Sequence, residues 1–417
     1  IIQRKDINEK HLSTSFWLSI LTGVILFAIA IFASPFIADF FNEDLVRPVF
    51  SILSIGFIIG SFGVVHRALL YKKIDFKSVA ITETVAAVFS GIVSVILAYL
   101  GFGVWSLVIG SLMGTFGRSS FLWIRCRWRP SLIFDLKSFN ELFIFGRNVM
   151  GSQILNYISA NIDYLFIGRF LSAASLGLYT LAFQMAVFPH TKISSTISRV
   201  TFPTFSIIQD DNDKLRRGYL KTIKYISLLT FPMLAGLATI APKFVTIVIG
   251  EKWEPMILPL QILCISGLIN SIGHHVGSIL LSKGRSDIEF KWNVFQVFVF
   301  ITAITIGIRY GIVGVATAVV VTHLSLFLII QSITNRLIDL TFYEFFKALY
   351  PAAVCSSILV ITVLVYQKVN LIIIMSDLMT LIGSIIIGAL IYFLAIIIID
   401  KNSIKEIIIL TKKAIGR

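Results

Sequence analysis

Residues 48–72 read PVFSILSIGFIIGSFGVVHRALLYK, and residues 259–283 read PLQILCISGLINSIGHHVGSILLSK. They align without a gap at an offset of 211, which pairs Pro48 with Pro259, Gly56 with Gly267, Ile58 with Ile269, Leu69-Leu70 with Leu280-Leu281 and Lys72 with Lys283. At the same offset Gly103-Val104 meets Gly314-Val315, and at an offset of 208 Phe36 meets Phe244 and Glu43 meets Glu251. Apolar helices match readily by composition, but shared Pro, Gly, Glu and Lys positions point to an internal repeat. Each copy is an apolar run of about 20 residues or more, the length that carries a helix across about 30 Å of hydrocarbon. Lipid admits only helices and closed barrels, and these runs lack the alternation of barrel strands.

The rest of the chain has the same character. Hydrophobic residues make up 57% of the 417, charged residues 14%, and mean hydropathy is +0.90; soluble chains carry roughly 25% charged residues. Twelve spans are predicted, at about 14–40, 46–70, 79–100, 103–124, 140–168, 174–206, 219–249, 255–281, 288–308, 312–335, 346–367 and 376–399. The expected fold is an all-α polytopic membrane protein. Its second repeat begins near Asn140, so helices equivalent to residues 140–206 are expected before Ile1, giving 14 spans in a full chain. The expected organisation is an N-terminal lobe over 1–139, a six-helix lobe over 140–340, and two extra helices with a basic tail over 341–417. The offset covers an even number of spans, so the halves are parallel repeats, as in transporters that rock one half against the other.

Lys and Arg fall mainly on one side. Numbering the connections alternately places 25 of the 36 cations with the two chain ends, including Arg4, Lys5, Lys72, Lys73, Arg125, Arg127, Arg129, Arg216, Arg217, Lys283 and Arg285. Five (Arg47, Arg169, Lys252, Arg309 and Lys368) fall opposite. The basic side is predicted to be cytoplasmic, and this distribution accounts for most of the net charge of +14 without nucleic acid. The tail, with Lys401, Lys405, Lys412 and Lys413, suits an amphipathic surface helix. Cys126, Cys264 and Cys355 are far apart and suggest neither disulfides nor zinc.

No GxxxxGK[ST], HExxH or GxSxG motif is present, and no loop is long enough to be a soluble catalytic domain, so the chain reads as a non-enzyme without cofactor or metal. Asp210-Asp211-Asn212-Asp213 reads as a solvated turn rather than a metal-nucleotide site. Ionisable residues within spans are the stronger signal, because each is costly unless it faces water or a partner. The cations there are Arg67, Arg118, Arg147, Lys192, Arg199 and Lys243; Arg67, Arg199 and Lys243 lie near span ends, within snorkelling reach of headgroups. Asn148, Ser152, Asn156, Ser159 and Asp163 recur every three or four residues and form one polar helix face. Gln184, Lys192, Ser195 and Arg199 continue the pattern beyond a bend expected at Pro189. Such stripes serve as interhelical hydrogen bonds or as walls of a wet path. The substrate-binding candidates are therefore Arg67, Arg118, Arg147, Asn148, Ser152, Asn156, Ser159, Gln184, Lys192 and Arg199. Glu83 and Asp163 are candidates for ion coupling, with an ion pair to a neighbouring cation the structural alternative for Asp163. His66, His190, His274, His275 and His323 read mainly as packing residues.

Three segments carry a family resemblance: QILNYISANIDYLFIGRFL (153–171), FPHTKISSTISRVTFPTFSIIQDDNDKLR (188–216) and GEKWEPMILPLQILCISGL (250–268). They resemble polysaccharide flippases of the multidrug/oligosaccharidyl-lipid/polysaccharide (MOP) superfamily, in the colanic acid exporter branch of Wzx-type lipopolysaccharide biosynthesis proteins. The likeness implies a two-lobed, fourteen-helix bundle in the bacterial inner membrane. It also implies translocation of polysaccharide repeat units linked to undecaprenyl diphosphate, driven by an ion gradient, with membrane lipids and polysaccharide polymerase or assembly proteins as partners. Other readings are a lipid II or multidrug exporter of the same superfamily, or an integral membrane polymerase or glycosyltransferase. The resemblance names no individual contact residue.

Overall fold

The computed structural model describes residues 7–136, 139–140, 157, 161–194, 197, 201, 204–205, 207–373 and 376–401, with backbone alone at 286–287, 289–290 and 371–373. No strand occurs among them. Among the described residues, eight helices are long and apolar enough to cross a membrane, or nine if one bent pair counts as a single span. Two compact units divide the chain at Ala160 and Asn161.

The first unit contains α1 (Glu9–Phe41), α2 (Val46–Leu53), α3 (Ile55–Ser61), α4 (Val64–Lys72), α5 (Phe76–Tyr99) and α6 (Val104–Arg125). Its helices start and stop for local reasons. The Asn8 carboxamide accepts the His11 N–H at 3.1 Å at the start of α1, which ends at Asn42 in the left-handed region. Asp75 caps α5 by accepting the Ser78 N–H at 3.0 Å; the Ser78 hydroxyl and this bond hold the Asp75 carboxyl below its usual pKa. The predicted span 46–70 is three short helices, bent by 45° before α4. At the bend a Cβ on Gly63 would lie 3.0 Å from the Leu122 side chain of α6, so the chain packs tightly on α6 where it turns.

The side-chain distribution is inverted relative to a soluble bundle. On α6 the buried set is dominated by Ser106, Gly110, Gly114, Gly117 and Ser119. Large apolar residues face outward instead, among them Phe32 and Phe36 of α1, more than 70% exposed. Small residues let helices approach closely where lipid supplies no hydrophobic drive between them. Ser90 of α5 donates to the Gly110 carbonyl at 2.8 Å, holding α5 against α6.

The second unit contains α7 (Ile162–Phe170), α8 (Ala173–Pro189), α9 (Asn212–Phe244), α10 (Ile257–Ser282), α11 (Ser286–Gly307), α12 (Gly311–Leu337), α13 (Phe342–Ile373) and α14 (Asp377–Ile399). π-turns at His190–Ser194 and Val245–Ile249 extend α8 and α9. Its core joins Tyr179, Leu234, Met256, Leu260, Leu263 and Val315. The last two helices pack on α9 and are tied to it by Lys224–Asp400 at 2.7 Å, by Lys243–Asp377, and by the Tyr392 hydroxyl on the Leu228 carbonyl. Lys243, read from sequence as a snorkelling residue, thus meets the N-terminal turn of α14, where its partner carboxylate also suits the helix dipole.

Element boundaries follow the repeat. α1 ends at Asn42 and the π-turn after α9 ends at Gly250, both in positive-φ conformations and 208 residues apart. α4 ends at Lys72 and α10 at Ser282, with Lys283 as its cap residue. α10, however, is continuous where α2–α4 is broken.

Candidate functional site

In the first unit, α4, α5 and α6 bring three charged side chains together. The Glu83 carboxylate lies 3.3 Å from the Arg67 guanidinium and 2.9 Å from that of Arg118. Each side chain sits about one and a half to two turns, or about 7–10 Å, from the end of its helix that adjoins the basic segments at Lys72, Lys73 and Arg125. The Arg67 guanidinium also lies 5.7 Å from the Tyr71 ring centroid. Side-chain exposures of 46%, 34% and 42% for Arg67, Glu83 and Arg118 leave all three reachable. Two cations share one anion, and the group carries a net charge of +1. Arg67 is therefore engaged within its unit, and Glu83, expected as an ion-coupling residue, is held between two guanidiniums.

In the second unit Asp163 stands in the first turn of α7, 7% exposed. Its carboxylate accepts the Tyr179 hydroxyl of α8 at 2.9 Å and the Tyr164 N–H at 3.0 Å. The two tyrosine rings meet edge to face, with Tyr179 fully buried. Among the described residues the carboxylate's partners are hydrogen-bond donors rather than a cation. Gln184 borders an apolar groove with Met185, Phe188, Met233 and Leu237. Lys192 is exposed in the π-turn, its ammonium 6.0 Å from the Phe188 ring centroid. Arg147, Asn148, Ser152, Asn156, Ser159 and Arg199 lie outside the described residues.

One assembly escaped the sequence reading. The π-turn after α8, together with α10, α11 and α12, lines a cavity of about 370 Å³. His190 enters from the π-turn after α8, Asn270 and His274 from α10, Asn293 and Gln296 from α11, and His323 from α12. The His190 and His274 rings are 5.1 Å apart, edge to face. Nδ1 of His323 lies 2.6 Å from the Ser266 hydroxyl, which also accepts the Asn270 amide at 3.3 Å. The signal was present in the sequence: Ser266, Asn270, His274 and Ser278 recur every four residues along one face of α10, the periodicity that singled out residues 148–163. His66 of the first unit is different. It is fully buried, stacks on Trp123 at 4.6 Å, and places Nε2 3.2 Å from the Trp128 carbonyl, a packing role.

Residues 1–258 match the model of a family described as polysaccharide biosynthesis protein. The chain is 36% identical over 349 residues to the lipopolysaccharide biosynthesis protein WzxC of Escherichia coli (strain K12), covering 80% of this chain and 69% of that protein. It is 32% identical to the teichuronic acid biosynthesis protein TuaB of Bacillus subtilis (strain 168), covering 84% and 73% respectively. Among solved structures, the lipid II flippase MurJ in an inward closed conformation superposes with a TM-score of 0.75 at 17% identity, covering 95% of this chain and 85% of MurJ. An inward-facing multidrug MATE transporter of the MOP superfamily superposes with a TM-score of 0.61 at 16% identity, covering 79% and 81%. At such identities these two establish the fold alone. The chain belongs to the polysaccharide biosynthesis protein family and has the all-α, multi-pass membrane fold of MOP-superfamily transporters.

Proposed function

We propose that this protein is a flippase that moves polysaccharide repeat units, linked to undecaprenyl diphosphate, across the bacterial inner membrane by alternating access. A glycan on an anionic diphosphate cannot cross hydrocarbon alone, because its polar groups would lose water without replacement. The observation that carries the reading is the Arg67–Glu83–Arg118 group, a reachable cluster of net positive charge inside otherwise apolar helices. Guanidinium forks replace phosphate hydration with charge-assisted hydrogen bonds. Glu83 keeps both forks aimed at one place and moderates their charge, so that a diphosphate can leave as well as enter. The membrane-bound polyprenyl tail stays in lipid while the headgroup moves.

Ion coupling is assigned in this reading to Asp163 rather than Glu83. Asp163 is buried with neutral donors as its described partners, whereas Glu83 is already paired with two arginines. The relatives' names, lipopolysaccharide and teichuronic acid biosynthesis, support a lipid-linked glycan as cargo without naming the sugar.

The test is translocation of undecaprenyl-diphosphate-linked oligosaccharide in proteoliposomes, with and without an imposed proton gradient. Arg67→Ala and Arg118→Ala should each slow transport at least about tenfold, the loss of one hydrogen bond to a charged group. Asp163→Asn should transport equally with and without the gradient. Unchanged transport by both arginine variants would overturn the role of the cluster.

A further inference from the structure

We propose that the cavity between the π-turn after α8 and helices α10, α11 and α12 binds one uncharged sugar ring of the transported substrate, a saccharide site separate from the cationic cluster. This inference rests on the flippase reading and adds a location for the sugar. The chemistry of the lining carries it. Among the described lining residues none carries a formal charge with histidine neutral, yet His190, His274, Asn270, Asn293, Gln296 and His323 all present polar side chains. Carboxamides and neutral imidazoles each offer donors and acceptors together. A sugar hydroxyl likewise donates and accepts, whereas a diphosphate only accepts and is better met by guanidinium. An apolar ligand would leave these groups without partners, at a cost comparable to lost hydrogen bonds.

Geometry supports the same ligand. The volume of about 370 Å³ lies at the small end of ligand sites, which span about 300–1,000 Å³. Trp292 lines the cavity beside Asn293 and packs against the apolar core beneath, supplying the broad aromatic surface that sugar C–H faces favour. Some of the lining is already held: His323 and Asn270 share the Ser266 hydroxyl, which fixes their orientation before any ligand arrives. His190 is presented by a π-turn, a helix irregularity frequent at functional sites. Its Nδ1 is buried and has no hydrogen-bond partner among the described residues.

The protein in nanodiscs would be titrated with bare undecaprenyl diphosphate and with the same lipid carrying one glucose, galactose, N-acetylglucosamine or N-acetylgalactosamine. Wild type should bind at least one sugar-bearing lipid roughly tenfold more tightly than the bare lipid, the worth of one or two net hydrogen bonds. Asn293→Ala, Gln296→Leu and Trp292→Ala should each remove most of that preference, and each variant's affinity for the bare lipid reports that it is folded. If wild type shows no preference, or all three variants retain it, the sugar site is overturned while bare-lipid binding, weakened by Arg118→Ala, leaves the wider reading standing. If no lipid binds wild type, the flippase reading fails with it. A cavity that holds only water corresponds to the first of these overturning results.

Discussion

The two units handle polar groups within hydrocarbon in opposite ways. The first gathers formal charges, Arg67, Glu83 and Arg118, with partial exposure and a net positive charge. Apart from the ion pairs Lys224–Asp400 and Lys243–Asp377 that tie its last two helices to α9, the second uses neutral or singly charged hydrogen-bonding groups: Asp163 with Tyr179, Tyr219 with Gln331, His323 with Ser266. The histidines follow the same division. His66 is enclosed between tryptophans, while His190 and His274 border a cavity. The repeat therefore preserved a scaffold while the chemistry on it diverged. At the offset of 211, Gly63 at the bend of the first unit corresponds to His274 on the cavity of the second.

The comparison can be broken first at the helix contacts that both units share. α11 and α12 meet at glycine: a Cβ on Gly307 would lie 2.6 Å from the Gly314 carbonyl, and backbone cannot give way. Gly307→Ala should yield no folded protein by size-exclusion chromatography in detergent. The corresponding packing of α5 on α6 has more give, because the closest atom to a Cβ on Gly110 is the mobile Ser94 hydroxyl. Gly110→Ala should therefore fold, with a melting temperature lowered by an overpacking cost of about 1–3 kcal/mol. Equal tolerance at the two glycines would remove the distinction.

Charge is the next handle. Glu83→Gln takes the shared anion from Arg67 and Arg118 and should tighten binding of undecaprenyl diphosphate roughly two- to tenfold, as expected for losing exposed ion pairs, while slowing its release. A weakened affinity in nanodiscs would mean that Glu83 holds the forks in place more than it competes for them. In the second unit, Tyr179→Phe removes a donor from a buried carboxylate and should lower stability by about 1–3 kcal/mol. Asp163→Asn retains an acceptor for the phenol and should cost less, a difference readable by thermal unfolding in detergent. The smallest effect is expected at His66→Phe. The ring would keep its place against Trp123 and lose one hydrogen bond, a change of about 1 kcal/mol or less in the same measurement.

Much of the fold was legible before any coordinates. The apolar runs translate into α5, α6, α10, α11, α12 and α14 within about three residues of their predicted limits and into α1, α9 and α13 within about seven, because in lipid a run of that length has few alternatives to helix. The repeat was legible through Pro, Gly and charged positions that mere apolarity does not reproduce. The bend within 46–72 was not, because PVFSILSIGFIIGSFGVVHRALLYK contains no proline in its middle and its glycines also suit a straight helix, as Gly267 and Gly273 do in α10. At the candidate site, sequence could mark Arg67, Glu83 and Arg118 as costly residues in spans. It could not pair them, since they are 16 and 35 residues apart and meet only when α4, α5 and α6 pack.

What the amino-acid sequence determined by itself is what depends on solvent and on distance along one helix. That comprises the membrane, the helices, their approximate ends, the duplicated plan and the polar faces at three- or four-residue spacing. Tertiary packing alone decided which polar groups satisfy one another. It turned Glu83 from a lone acid into the centre of an arginine pair, gave Asp163 a phenol among its described partners, and set histidines from three different helical segments around one cavity. The physical reason is that an ionisable group in hydrocarbon must find a partner, and that partner lies on another helix whose rotation and height no local pattern specifies.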